Sequence, residues 1–334
     1  MEVDPKLAAV VVICLIAYAF DFLNGMNDAA NSIATVVSTR VLSPRYAVAW
    51  AAFFNFIAAF GFGVSVATTI GKGLVTPAAM DNAVILGALL GGGAWTWLCT
   101  VLGLPISVSH SLIGGLVGAA MAKAGVAALL PGKLIITVLF IFLSPIIGLI
   151  FGAALMVACF WLFRRKTPGQ VDTVFRVGQL ISAALYSLSH GANDAQKTMG
   201  IIAVLLFTNG YLGDTFHVPT WVVLSCHAVI AAGTLLGGWK VIHTMGDKVT
   251  KLKPVGGFCA ETGAGLSIIA CSLAGIPVST THTITGAIMG VGSVQRASAV
   301  RWAVAGRILT AWVLTIPCSA AVAAVTYFLA RAFI

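Results

Sequence analysis

Two stretches of this sequence set a carboxylate beside amides where the surroundings are apolar. NGMNDAANSIA at 24–34 is answered by HGANDAQKTMG at 190–200, so that Gly25, Asn27, Asp28 and Ala29 recur as Gly191, Asn193, Asp194 and Ala195. An Asp held at membrane depth costs about 2.5–3.5 kcal/mol on insertion scales, a cost that implies use. Carboxylate and amide carbonyl oxygens are the ligands that hard cations take. Asn27, Asp28, Asn193 and Asp194 are therefore the candidate cation ligands. Gly25 and Gly191 are expected to let the backbone unwind and add carbonyls. A helix end capped by Asn or Asp accounts for one such motif equally well, and much less well for two.

A second pair of stretches suits an anion. LPISVSHSLIGGLVGAAM at 104–121 matches IPVSTTHTITGAIMGVGS at 276–293 with a constant offset (277 − 105 = 172), which Pro145 and Pro317 share. Proline starts a helix without wasting an amide, hydroxyls follow it, and the free N–H groups of the helix N-terminus favour negative charge. Two such termini facing each other would surround a tetrahedral oxyanion, with Ser107, Ser109, Ser111, Ser279, Thr280, Thr281 and Thr283 as donors. Ser and Thr also join membrane helices. His110 and His282 occupy equivalent places and either serve the anion or a proton, or orient the segment through a structural hydrogen bond. Asp21, Gln196, Lys197 and Glu261 break the repeat and are candidates for tasks needed once, such as proton coupling or balancing the charge of the site. Lys197 has the alternative of snorkelling to an interface.

Groups of this kind need membrane-spanning elements to hold them. Of 334 residues 59% are hydrophobic and 9% charged, and the mean hydropathy is +1.02, far from a soluble composition. Apolar runs near the ~20 residues that cross a bilayer occupy 7–23, 48–70, 84–104 and 134–163. The fold class is an all-α polytopic membrane protein. Glu2 and Asp4 precede the first run without a small-residue cleavage site, so that run is expected to be a retained span. The net charge of +9 is scattered through short loops, which fits positive-inside bias and an anionic substrate and sets nucleic acid aside. Seven cysteines stand singly with no CxxC pair, as residues packing between helices do. No nucleophile and base pair stands out, and His110 and His282 are equivalent rather than complementary, which speaks against an enzyme.

The paired stretches make the chain an internal duplication: a first repeat over 1–163, a cytoplasmic linker over 164–176 and a second repeat over 177–334. Arg164, Arg165, Lys166 and Arg176 put the linker inside. Onward from it, the 209–218 loop has no Lys or Arg and 240–253 has four Lys, reading outside and then inside. In the first half Arg40 and Arg45 flank an inside loop, and 71–81 carries only Lys72 and Asp81. The halves are expected to be inverted, with five hydrophobic units each. The segments flanking Pro105 and Pro277 fit full spans or re-entrant hairpins. Hairpins are expected, because a Gly-Pro-Ser break at membrane depth is tolerated only under cover of protein or a cavity. Inverted repeats with broken helices and a site at their interface are the build of secondary transporters.

At these residues the chain resembles the inorganic phosphate transporter (Pit) family, whose hallmark is a GANDVANA-like sequence in each half. The copies here are GMNDAANS at 25–32, departing at Met26, and GANDAQKT at 191–198, with Gln196-Lys197 where the later Asn would stand. The stretch at 276–292 is similarly typical, and the resemblance spans essentially the whole chain. It implies a symporter that imports inorganic phosphate with sodium or protons, a homodimer in the cell membrane, and no organic cofactor. Carried over, Asn27, Asp28, Asn193 and Asp194 would form the cation sites and the Ser/Thr of the two Pro-led segments would bind phosphate. The short 164–176 linker replaces the long cytoplasmic insert of larger members, so regulation through such an insert is not expected. Sulfate is the alternative substrate; Asp28 or Asp194 would accept the proton of hydrogen phosphate if the site favours that ion. An anion channel is the alternative of a different class, separated by uphill, cation-dependent flux. The expected mechanism is alternating access, with cations binding first and creating the field that the anion needs.

Overall fold

Local sequence chemistry sets most of the helix boundaries. The computed structural model describes residues 4–332, and the side chains of all of these but 247 and 248. Among the described residues lie twelve α-helices: α1 Pro5–Ser38, α2 Pro44–Ile57, α3 Ser65–Gly73, α4 Asn82–Leu102, α5 Val108–Ala124, α6 Pro131–Phe163, α7 Pro168–Thr208, α8 Thr220–Leu236, α9 Trp239–Lys248, α10 Pro254–Leu273, α11 Thr280–Gln295 and α12 Trp302–Ala330. Five of them, α1, α2, α6, α7 and α10, begin on a proline at the first turn, where its missing N–H costs nothing. The non-helical part of the 164–176 segment is confined to 164–167. Thr167 and Gln170 form a reciprocal capping box that starts α7 at once.

Five helices (α1, α4, α6, α10 and α12) are long and apolar enough to cross a membrane, and seven spans result if each bent pair counts as one. The bends, 79° between α2 and α3 and 73° between α8 and α9, are the broken helices. They fall at 61–64 and 237–238 and not at the acid-amide motifs: α1 and α7 run unbroken through 24–34 and 190–200. The expectation that Gly25 and Gly191 unwind the backbone is therefore corrected. Both glycines serve close packing instead. A Cβ at Gly25 would drive into the carbonyl of Ile230 on α8, and one at Gly191 would come within 2.5 Å of the carbonyl of Asn55 on α2. The segment 240–253, read above as a loop, is helical to Lys248, leaving only 249–253 outside a helix.

Two antiparallel hairpins, α4–α5 and α10–α11, turn at Pro105 and Pro277. Their bases lie at opposite ends of α7. At the C-terminal end, Asn209 exchanges hydrogen bonds with Asn82 at the start of α4 (2.7 and 3.4 Å). At the N-terminal end, Pro168 and Pro254 line one surface groove. The 41 residues of α7 extend over about 60 Å at 1.5 Å per residue, and the 20 to 21 residues of α10 and α4 reach about 30 Å. Hairpins entering from opposite ends thus meet near the middle of α7. There the rings of His110 and His282 lie 4.5 Å apart, edge to face. Each hairpin is clamped by the last long helix of the other half, α5 on α12 and α11 on α6. Gly114 and Gly286 make this possible by lying against backbone at Ile316 and Pro145.

Candidate functional site

In α1, Asn24, Asn27, Asp28 and Asn31 follow the i, i+3, i+4, i+7 rule of one helix face; in α7, His190, Asn193, Asp194 and Lys197 do the same. All eight are buried. The two polar stripes face each other and the hairpin tips. Thr281 donates to Asp28 Oδ1 (3.1 Å) and accepts from Asn31 Nδ2 (2.9 Å). Thr280 donates to Asp194 Oδ2 (2.9 Å). Lys197 Nζ donates to Asp194 Oδ1 and to Ser109 Oγ, and to the carbonyl of Val278 at 3.0 Å. Lys197 therefore enters the site and does not snorkel to an interface.

The two amides are held alike. Asn27 Nδ2 donates to Thr100 Oγ1 at 2.7 Å, and Asn193 Nδ2 to Ser272 Oγ at 2.8 Å. Thr100 and Ser272 stand at the repeat offset (272 − 100 = 172). With the nitrogens engaged, Asn27 Oδ1 and Asn193 Oδ1 are buried acceptors that no donor among the described residues reaches, as is Asn31 Oδ1. A buried carbonyl left in that state costs free energy unless something supplies positive charge. Beside Asp28 and Asp194 these oxygens suit a hard cation.

His190 joins the two carboxylates. Its Nε2 lies 3.2 Å from Asp194 Oδ2 and 3.7 Å from Asp28 Oδ2, and its Nδ1 lies 3.1 Å from Asn55 Oδ1. Ligand atoms of Asp28, His190 and Asp194 all fall within 4.8 Å of one another, close enough to share one ion. With Nδ1–H donating to Asn55 Oδ1, the Nε2 lone pair of a neutral ring is the atom that could join the carboxylates on such an ion. His190, Asn55, Thr100 and Ser272 are not among the residues that the sequence singles out. His190 had a signal, its place four residues before Asp194 on the motif face; the others sit singly in apolar runs and had none.

The hydroxyls of the Pro-led segments divide in three. Ser109, Thr280 and Thr281 reach the motif residues. Ser107 and Ser279 are N-caps of α5 and α11, accepting from the backbone N–H of His110 (3.3 Å) and His282 (3.2 Å). Ser111 donates to the carbonyl of Gly92 and Thr283 to that of Ser279, both at 2.8 Å, so their protons are committed to backbone. His282 also has a structural partner. Pro145 cannot donate to the carbonyl of Ile141 four residues before it, and His282 Nδ1 lies 3.4 Å from that oxygen. The ring stacks on Trp312 with centroids 3.6 Å apart, and Trp312 Nε1 donates to the carbonyl of Pro105.

Of the residues that break the repeat, only Lys197 meets the motif carboxylates directly. Gln196 turns away: its Oε1 accepts from the amides of Val66 (2.9 Å) and Ala67 (3.2 Å) and closes the start of α3. Asp21 accepts from Thr198 at 2.9 Å. Glu261 accepts from Thr35 (2.5 Å), Gln179 (3.0 Å) and Ser182, tying α10 to α1 and α7.

The sequence profile of the phosphate transporter family matches residues 24–323. The chain belongs to the phosphate transporter family. It is 57% identical over 329 residues to a protein of Rhizobium meliloti (strain 1021) and 42% identical over 331 residues to one of Bacillus subtilis (strain 168), each alignment covering 98% of both chains. Both carry the name "probable low-affinity inorganic phosphate transporter". A solved structure described as the sodium-dependent phosphate transporter is 25% identical and superposes with a TM-score of 0.90, covering 98% of this chain and 100% of that one. These relatives are transporters and not enzymes, and the long apolar helices of this chain make it a multi-pass membrane protein of that family.

Proposed function

We propose that this protein imports inorganic phosphate by symport with sodium through alternating access, the two sites lying at the junction of the repeats over 1–163 and 177–334. The observation that carries this reading is the meeting of two hairpin N-termini with two mirrored acid-amide motifs. Sodium ions, as co-substrates, fit Asn27 with Asp28 and Asn193 with Asp194, where carboxylates stand beside unpartnered amide oxygens. Phosphate fits between the starts of α5 and α11, where Ser109, Thr280, Thr281 and Lys197 Nζ offer donors. A cation at Asp194 competes with Lys197 for the carboxylate, and the released ammonium then turns to the anion. Binding of one substrate in this way prepares the site for the other.

The resemblance to a sodium-dependent structure favours sodium over protons as the coupling ion. A homodimer in the cell membrane, with 164–176 on the cytoplasmic side, is part of the same reading. Sulfate shares the tetrahedral geometry and remains the competing substrate; an anion channel is disfavoured by carboxylates at the heart of the site. The test is uptake of radiolabelled phosphate into proteoliposomes under a sodium or a proton gradient, with sulfate as competitor. Concentrative uptake that follows sodium and resists sulfate is the expected result. Flux that only runs downhill would make the protein a channel, and labelled sulfate entering as well as phosphate would change the substrate.

A further inference from the structure

The two ends of the molecule differ in a way that the repeat does not require. At the end near the C-terminus of α7, Asp81 caps α4 by accepting from the amide of Val84 (2.9 Å) and pairs with Lys123 (2.6 Å). The position equivalent to Asp81 in the other half is Lys253 (253 − 81 = 172). Lys253 sits at the N-cap of α10 and gives it no side-chain cap. A capped, neutralised helix start in one half is thus an uncapped and basic one in the other.

Lys253 opens onto a groove of about 300 Å³ between α6, α7 and α10, which Arg164 and Lys166 also line. None of these three has a carboxylate within 4.0 Å among the described residues. Among the described residues, Asp172 on the same rim is the single acidic group lining the groove. The rest of the wall is apolar, including Phe160 and Phe163. Just outside it Trp161 and Leu162 of α6 are 66% and 77% exposed, and the Arg164 guanidinium lies over the Trp161 ring at 5.2 Å. Unpaired cations above an apolar wall, beside an interfacial Trp, place the groove where phospholipid headgroups lie.

We propose that this groove binds the phosphodiester headgroup of an anionic phospholipid, with Arg164, Lys166 and Lys253 around the phosphate and an acyl chain along Phe160 and Phe163. The site is independent of the transport site, from which it is separated by the length of the α10–α11 hairpin. An uncapped helix start alone would be weak; three basic groups without a carboxylate partner on an amphipathic wall, with Lys253 standing where the other half has Asp81, give it a chemistry.

The test is native mass spectrometry of the full-length protein released from mixed micelles holding equal phosphatidylglycerol and phosphatidylcholine. Wild type should retain phosphatidylglycerol preferentially, and millimolar inorganic phosphate should not displace it. Lys166→Gln should lower the preference about fivefold, and Lys253→Asp, which copies the other half and changes two charges, about 25-fold. Size-exclusion profiles separate a folding defect from a binding one, and Lys166→Gln carries the test if Lys253→Asp fails to fold. Equal retention of the two lipids by wild type, or an unchanged preference in a folded variant, overturns the proposal. Displacement by inorganic phosphate would do so too, by making the groove a site for the free ion.

Discussion

Lys197→Met tests the coupling proposed above most directly. The ammonium is buried and held by Asp194, Ser109 and the Val278 carbonyl. If it turns to phosphate once a cation takes Asp194, its loss removes one charge-assisted hydrogen bond to the anion, worth about 1.5–3 kcal/mol. At 1.4 kcal/mol per tenfold, the phosphate KM should rise about 10- to 150-fold. The same substitution frees Asp194 from its internal competitor, so the sodium concentration for half-maximal uptake should fall. Opposite shifts in the two affinities are the signature, since a merely damaged protein loses both. The control is folding: breaking a buried pair by removing one partner costs about 3–5 kcal/mol. Lys197→Met with Asp194→Asn should therefore recover the thermal stability of the purified protein while leaving uptake uncoupled from sodium. Initial rates in proteoliposomes at varied phosphate and sodium give both constants. An unchanged phosphate KM, or a weaker sodium dependence in the folded single variant, would refute the exchange of Lys197 between carboxylate and anion.

Asp28→Asn and Asp194→Asn should each abolish concentrative phosphate uptake without preventing membrane insertion, and sodium-driven accumulation persisting in both would remove them from the cation sites. Ser109→Ala with Thr281→Ala should raise the phosphate KM, as both hydroxyls point at the motif residues. Ser107→Ala with Ser279→Ala should act on stability instead, each lost cap costing about 0.5–2 kcal/mol; a large KM change with unaltered melting would return these two serines to the binding site. Gly191→Val should impair folding or expression through its clash with the Asn55 backbone, whereas a fully active variant would show that α2 and α7 separate there.

The amino-acid order alone determined a great deal. The membrane class follows from apolar runs, the duplication from a constant offset, and the choice of Asn27, Asp28, Asn193 and Asp194 from polar groups repeated in apolar surroundings, because all of these are short-range or self-referential properties of the chain. That α1 and α7 stay helical through the acid-amide motifs, so that residues three and four apart share a face, was decided by the structure. What the sequence left open is who stands opposite. Thr281 meets Asn31 across 250 residues, and Asn55 meets Thr234 across 179. Ser107 and Ser109 look alike in sequence, yet one is spent on its own helix start and the other reaches Lys197. Gln196 and Lys197 are neighbours, but the rotation of about 100° per residue around α7 sends the first to the start of α3 and the second into the site. Gly25 and Gly191, read as points of unwinding, proved to be points of contact. Only the packed backbones of α8 and α2 decide between those roles, since a glycine permits both and the local sequence prefers neither.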